Sequence, residues 1–477
     1  MKTELPSGLV VVVKRDCPTC ELVAPVLADL ASRGALSIYS QDDPDFPEGM
    51  AVRDDRDLEL SYHHDIEAVP TLLRVEEGRE VARTEGWHRG DWEKLTGLSG
   101  LGRDLPDWRP GCGSLSQLPE QRAALRVRFE SDTLKARRIP LAPLEDAYEA
   151  LHERGFSDGL PMVPPTPERV LAMLEGTTRA PDEIVANVPP DLVPCSVEKV
   201  AINAVMAGCR PEYLPVVLSA LEAACNDEFN MHGVLCTTMP VGPILIVNGP
   251  IRQRIGMNSG KNVFGQGNRA NLSIGRALQL VIRNVGGGRP GEVDRATHGN
   301  PGKLGLCFAE DEEGSPWEPY SCDAGFAAGT DTVTLFTAEG PRCIVDQISR
   351  EPESLARSLA AGLRSVAHPK AVLGMDALLA VGPEHARVFR EASWDKTRLL
   401  TRLNEILMLP GEELIRGAGG IAEGLPERVR GATLPKFRPG GLRVVHCGGS
   451  AGLFSAIFGG WAGGAMGSQP VTVEIRP

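Results

Sequence analysis

Asp16-Cys17-Pro18-Thr19-Cys20 sits between an apolar run, Leu9 to Val13, and a segment from Leu22 to Leu30 whose apolar residues recur at helical spacing. The run reads as a buried strand and the segment as a helix. A Cys-x-x-Cys at that junction places the first thiol over free backbone N–H groups and the positive end of the helix dipole. Such an environment favours thiolate, the form that attacks disulfides. The beginning of the chain therefore reads as a redox module.

Outward from the motif, the helix covers 18–32 with Pro25 inside it, and a strand covers 35–40. An acidic loop, Asp42 to Asp57, leads to a short helix ending near His64. After Val69-Pro70-Thr71, a strand over 72–75 turns at Glu76-Glu77-Gly78 into another over 80–84, and a last helix opens near Gly90-Asp91. This order resembles the thioredoxin superfamily over about residues 8–100. Cys17-Pro18-Thr19-Cys20 stands at its redox motif, Pro25 at its helix-kinking proline, and Val69-Pro70-Thr71 at the segment whose proline is cis and faces the thiols. The resemblance implies Cys17 as an exposed attacking thiol, Cys20 as the buried resolving thiol, and Pro70 as holding the nearby backbone open for an extended substrate. Two features depart from the family. Asp16 replaces the usual aromatic residue, and its carboxylate should make Cys17 less acidic by like-charge repulsion. The strand–helix unit that precedes the motif in full thioredoxins is missing, so the domain is a minimal one.

The chain has 477 residues, 42% hydrophobic and 24% charged, enough for two or three ordinary globular domains. A net charge of −13 argues against a nucleic-acid or anionic-membrane partner. No stretch approaches the roughly 20 apolar residues of a membrane span. The opening Met1-Lys2-Thr3-Glu4-Leu5-Pro6 does not read as a signal peptide, so a soluble cytoplasmic protein is expected. Eleven cysteines in this length are not disulfide-scaffold density.

The expected division is a thioredoxin-like domain over 1–102, a linker over 103–145 and a large α/β domain over 146–477. Cys112, between Gly111 and Gly113, reads as an incidental thiol in flexible chain, with electron relay from Cys17 and Cys20 as the alternative. In the large domain, strands feed helices through glycine turns, which suggests α/β layers with mostly parallel strands. Ala377–Val381 and Leu442–Val445 read as neighbours in one parallel sheet, which puts the Gly382 turn and His446-Cys447 on a functional edge. Cys447, read as preceding a glycine loop and a helix, is a second candidate reactive thiol with His446 as its proton partner. Gly448, Gly449 and Ser450 could cradle an anion. Asn258, Lys261, Arg269 and His298, in two further glycine-rich loops, suit a carboxylate or phosphate ligand. His232 and Cys236 share a face only if helical, which Gly233 and Thr237-Thr238 argue against. With His298, Cys307 and Cys447 they form the candidate set for a metal ion, although no spacing is diagnostic. The acidic run Glu310 to Glu313 reads as solvated.

The large part also resembles a domain of bacterial proteins found alongside selenoproteins distantly similar to glycine and proline reductases. Asp158 to Arg169, Asn203 to Pro215, Val247 to Arg252 and Val381 to Ala386 carry that resemblance. It implies thiol- or selenol-linked redox chemistry and brings no catalytic residues. The leading expectation is an oxidoreductase. In it a redox-active dithiol passes electrons to a thiol or small anionic substrate in the large domain, with a thioredoxin-type reductant or a selenoprotein as partner and room for an oligomer. The alternatives are soft-metal or sulfur transfer through Cys and His residues, and a lyase or hydrolase with a regulatory thioredoxin-like domain.

Overall fold

A computed structural model describes residues 4–34, 36–462 and 467–477. Ala35, where the sequence starts its second strand, lies outside them, as do Met1 to Thr3 of the opening. The chain divides into two compact units, Met1–Asp132 and Thr133–Pro477. Both mix helices and sheets, and the architecture is α/β.

The first unit runs β1 (Gly8–Val13), α1 (Pro18–Arg33), β2 (Leu36–Ser40), β3 (Val52–Asp54), α2 (Glu59–His63), β4 (Ala68–Val69), β5 (Thr71–Glu76), β6 (Arg79–Glu85), β7 (Trp87–His88), α3 (Arg89–Thr96), β8 (Trp108–Arg109), β9 (Cys112–Gly113) and α4 (Pro119–Glu130). Its sheet has the order β3-β2-β1-β5-β6, with β1 central. Val10 to Val13 are all buried, which is why this strand is apolar without alternation. β1 pairs parallel with β2 and antiparallel with β5. Pro18 takes the first turn of α1, where its missing N–H costs nothing.

The expected linker is not one in its first half. β8 pairs with β7 and β9 pairs with β4, both antiparallel. In α4, Phe129 stacks on Tyr62 with ring centroids 5.6 Å apart. The first unit thus extends well past residue 102.

The second unit runs α5 (Ala147–Glu153), α6 (Pro167–Leu174), β10 (Ile184–Val188), β11 (Val193–Ser196), α7 (Val197–Ala207), α8 (Leu214–Ala224), α9 (Met231–Cys236), β12 (Gly242–Asn248), α10 (Ile251–Arg254), α11 (Arg269–Asn284), β13 (Leu306–Ala309), α12 (Tyr320–Asp323), β14 (Thr332–Ala338) and β15 (Arg342–Val345). It continues with α13 (Pro352–Arg364), β16 (Met375–Val381), α14 (Pro383–Glu391), α15 (Lys396–Ile406), β17 (Met408–Pro410), α16 (Gly411–Leu414), β18 (Thr433–Pro435), β19 (Phe437–His446), β20 (Phe454–Ala462) and β21 (Val471–Glu474). The main sheet has the order β13-β12-β14-β20-β16-β19, with β15 beside β20 and β21 beside β14.

This sheet is mixed. The pairs β12/β13 and β16/β19 are parallel, the second with Val381 opposite His446, as the sequence leads one to expect. The other pairings are antiparallel. The two halves meet through one residue pair between β14 and β20, Ala338 and Gly460. Alternation along β12 sends Leu245 and Val247 into a core with α7, α8 and α11, and Ile244 and Ile246 into a second core with Phe308 and Phe458. No helix among the described residues is long and apolar enough to cross a membrane.

Candidate functional site

Cys17 is the N-cap of α1, and its sulfur accepts the backbone N–H of Cys20 at 3.3 Å. Neither thiol reaches solvent: Cys17 is 1% and Cys20 0% exposed. The exposed attacking thiol of the sequence reading is therefore corrected, and the cause lies in the chain itself. The Val69–Pro70 peptide is cis, and Cys17 Sγ lies 3.4 Å from Val69 O, a contact into which a thiol can donate. The backbone there is not open, because β9 pairs with it and sets Cys112 opposite Val69.

The Cys17 thiol is pulled down to about 5. The Cys20 side chain, donating to the sulfur, is the largest cause. Burial opposes it, and the Cys112 side chain and the backbone N–H groups of Cys20 and Thr19 add to it. Burial and the neighbouring Cys17 sulfur push Cys20 far up, and the same two causes raise Cys112. Of the three thiols, Cys17 is thus the one that gives up its proton most readily. The expected effect of Asp16 is not found. Asp16 is exposed, its N–H donates to Asp42 at 2.9 Å, and its carboxylate is not among the main influences on Cys17.

In the second unit the C-terminal ends of the two parallel pairs come together. His446, ending β19, is 1% exposed; no side chain hydrogen-bonds to its ring, and the Val381 backbone acts on the imidazole as an acceptor. Asp311 Oδ2 lies 3.7 Å from its Nε2, and the Asp311 N–H donates to His446 O at 2.8 Å. Burial is the chief reason the imidazole is held below its usual value. Glu310, just past β13, is buried and raised, mainly by desolvation; it accepts from Asn248 Nδ2 at 2.7 Å and from the Tyr320 N–H at 2.8 Å. Arg252, itself buried, donates to Glu310 O at 2.8 Å and pairs with Glu312 and Glu313, both at 3.0 Å. The acidic run is therefore a set of built-in partners rather than a solvated face. A neutral imidazole beside a carboxylate can take up or hand over a proton.

Two glycine-rich loops converge on this edge. The Gly448 N–H donates to Ser259 O at 2.8 Å, and a Cβ on Gly449 would stand 2.9 Å from Lys261 Cγ. Lys261 and Ser450 are exposed at the rim. The remaining candidates fare differently. Asn258 is spent on its own loop, donating to Lys261 O at 2.9 Å and accepting from Gly260 N at 2.9 Å. Arg269 donates to Gly208 O at 2.8 Å, so it ties α11 to the end of α7. His298 is exposed on the third loop, which packs against residues 235–238 instead: Arg295 N donates to Leu235 O and Thr297 N to Thr238 O, both at 2.9 Å.

Cys447 loses the reason given for it. The apolar segment after its loop is the strand β20, so the helix expected to follow the loop is not there. The thiol is buried and raised well above its ordinary value, by burial first and then by Glu310 and Asp311. His232 and Cys236 do lie on a helix, α9, but Cys307 packs with the α7–α8–α11 core and Cys447 with the other. No group of three or more His, Cys, Asp or Glu side chains among the described residues is placed to hold a metal ion. Sequence reasoning missed Asn248, Arg252, Glu310 and Asp311 as a set. Its one signal was Val247-Asn-Gly-Pro-Ile-Arg252, taken as a resemblance and not as a site.

No protein-family model matches this chain, and no curated protein matches it.

Proposed function

We propose that the first unit is a thioredoxin-like thiol–disulfide oxidoreductase in which Cys17 is the attacking thiolate and Cys20 its partner thiol. The observation that carries this is the placement of Cys17 at the N-cap of a sixteen-residue helix, with its sulfur accepting the Cys20 N–H and a protonated thiol three residues on. Helix N-terminal donors stabilise thiolate, and the thiolate is the form that attacks disulfides. In the forward step the Cys17 sulfur bonds to one sulfur of a disulfide and releases the other as thiolate. The Cys20 thiol then displaces the first, so two electrons and the Cys20 proton pass from the protein to the substrate, and the second released thiolate takes its proton from water. Electrons reaching the second unit would travel between parts of one chain, at an effective concentration on the order of millimolar for a short flexible connection. The edge around His446 and Lys261 is the place there for a small anionic substrate.

Cys17 lies under β9, so an outside disulfide meets it once this short pairing has opened. Two-residue ribbons at a surface belong to the low-stability end of a structure and open locally. The test is turnover of a small aromatic disulfide by the full chain with a dithiol as electron donor. The wild type should turn over and Cys17→Ser should fall to background. Equal rates in the two would overturn the reading.

A further inference from the structure

The segment that covers Cys17 is built to do so. Its backbone pairs with Ala68–Val69 through Gly113 and Cys112, the Ser114 N–H donates to Glu67 O at 2.9 Å, and Lys14 Nζ donates to Gly113 O at 2.9 Å. Thr19 Oγ1, inside the Cys-x-x-Cys, donates to Pro110 O at 2.7 Å. Gly111 allows the approach: a Cβ there would meet Val69 O at 3.0 Å. Ser114 also accepts from Gln41 Nε2 at 2.6 Å, which anchors the far end. The result is a third thiol, half-buried, set opposite Val69, whose carbonyl oxygen is 3.4 Å from Cys17 Sγ, and packed against the same core as Cys17 and Cys20. A loop thiol present by accident would not bring a strand pairing and three side-chain anchors with it.

We propose that Cys112 is a redox partner of Cys17, and that a Cys17–Cys112 disulfide fastens the covering segment over the site. The inference rests on Cys17 being the attacking thiolate of the proposed function. The oxidant is a disulfide. Cys17 bonds to one of its sulfurs and expels the other as thiolate; the Cys112 sulfur then attacks Cys17 and expels the second thiolate, and the proton lost by Cys112 goes to a released thiolate. Reopening needs a dithiol. Its thiolate attacks the half-exposed Cys112 sulfur and Cys17 leaves. This is the favoured direction, because Cys17 is the most acidic of the three thiols and so the best leaving group. The second thiol of the reductant then frees Cys112 and closes the reductant's own disulfide. The site is covered and latched when oxidised and unlatched when reduced.

The test uses the full chain, reduced, then exposed to oxidised glutathione, acid-quenched, alkylated, cleaved with trypsin and mapped by mass. Cys17 and Cys20 lie on one tryptic peptide and Cys112 on another, so the proposed bond joins two peptides. The cross-linked pair is expected in the wild type and in Cys20→Ser. The proposal is overturned if the wild type yields only the Cys17–Cys20 loop and Cys20→Ser yields only a glutathione adduct. In that case Cys112→Ser still forms the Cys17–Cys20 bond and the oxidoreductase reading stands. If Cys17 joins neither partner in any variant, both fall. The wild-type map decides even if Cys20→Ser does not fold.

Discussion

At the scale of single residues, what distinguishes Cys17 is how many donors point at one sulfur. Two neighbouring thiols and two backbone N–H groups all favour the anion against the cost of burial, and the balance lowers it from 9.0 to about 5. A hydrogen bond to a charged group contributes about 1.5–3 kcal/mol, and 1.36 kcal/mol corresponds to about one pH unit. Cys112→Ala should therefore move the Cys17 titration up by about one pH unit. The ultraviolet absorbance of thiolate reads this, as the difference between each chain and its Cys17→Ser counterpart. An unmoved midpoint would mean that Cys112 does not donate to Cys17. Cys447 makes the contrast: just past the end of β19, with burial first and then two acids acting on it and no donor, its thiol is held well above the ordinary value.

At the scale of elements, the cover depends on two glycines meeting. Gly86 has a φ of +67°, and a Cβ on it would stand 2.6 Å from Gly111 N and 2.9 Å from Arg109 O. An L side chain in that backbone region costs about 1–2 kcal/mol, before any clash. Gly86→Ala should thus loosen residues 108–114 and speed alkylation of Cys17 by about tenfold or more, since each 1.4 kcal/mol is roughly tenfold in an opening equilibrium, while the far-ultraviolet circular dichroism stays unchanged. Alkylation as slow as in the wild type would show that this segment does not shield the sulfur.

Such a cover is hard to read from sequence. Two-residue strands have no period, and the partners Val69 and Cys112 share no local signal. Gly242–Asn248 was legible because seven buried residues in a row leave a run that loops rarely show. Phe454–Ala462 was not: a short apolar run after glycines fits a strand or a helix, and what decides it is pairing with Met375–Val381. Likewise, nothing in Glu310 to Glu313 announces that Asn248 and Arg252 wait in the fold to receive it.

At the scale of the molecule, the second unit keeps two imidazoles in its interior. His385 is wholly buried; one ring nitrogen lies 2.8 Å from Ser455 Oγ and the other 3.1 Å from Asp346 O. His446 has no side-chain hydrogen-bond partner, and only the Val381 backbone acts on its ring as an acceptor. Both are held below 6.5, chiefly by burial, although Asp346 and Glu384 act upward on the first and Asp311 and the Val381 backbone on the second, with Arg390 acting downward on His446. Below 6.5 the unfolded chain takes up protons that these buried rings refuse. Stability then falls with falling pH, until the lower folded values are reached. Glu310 has the opposite sign, because its raised folded value makes the native state the better proton binder there. Comparing variants isolates the imidazole share. His446→Leu removes a buried ring with no side-chain hydrogen-bond partner, and a buried polar group left unpaired costs about 1–3 kcal/mol. Its urea midpoint at about pH 7 should lie above that of the wild type, and its loss between about pH 7 and about pH 5 should be the smaller of the two. The same substitution should abolish use of an anionic substrate at this edge if the ring serves as its proton carrier. A variant that is less stable at neutral pH would mean that the His446 nitrogens are satisfied in solution, and that the ring is there for structure.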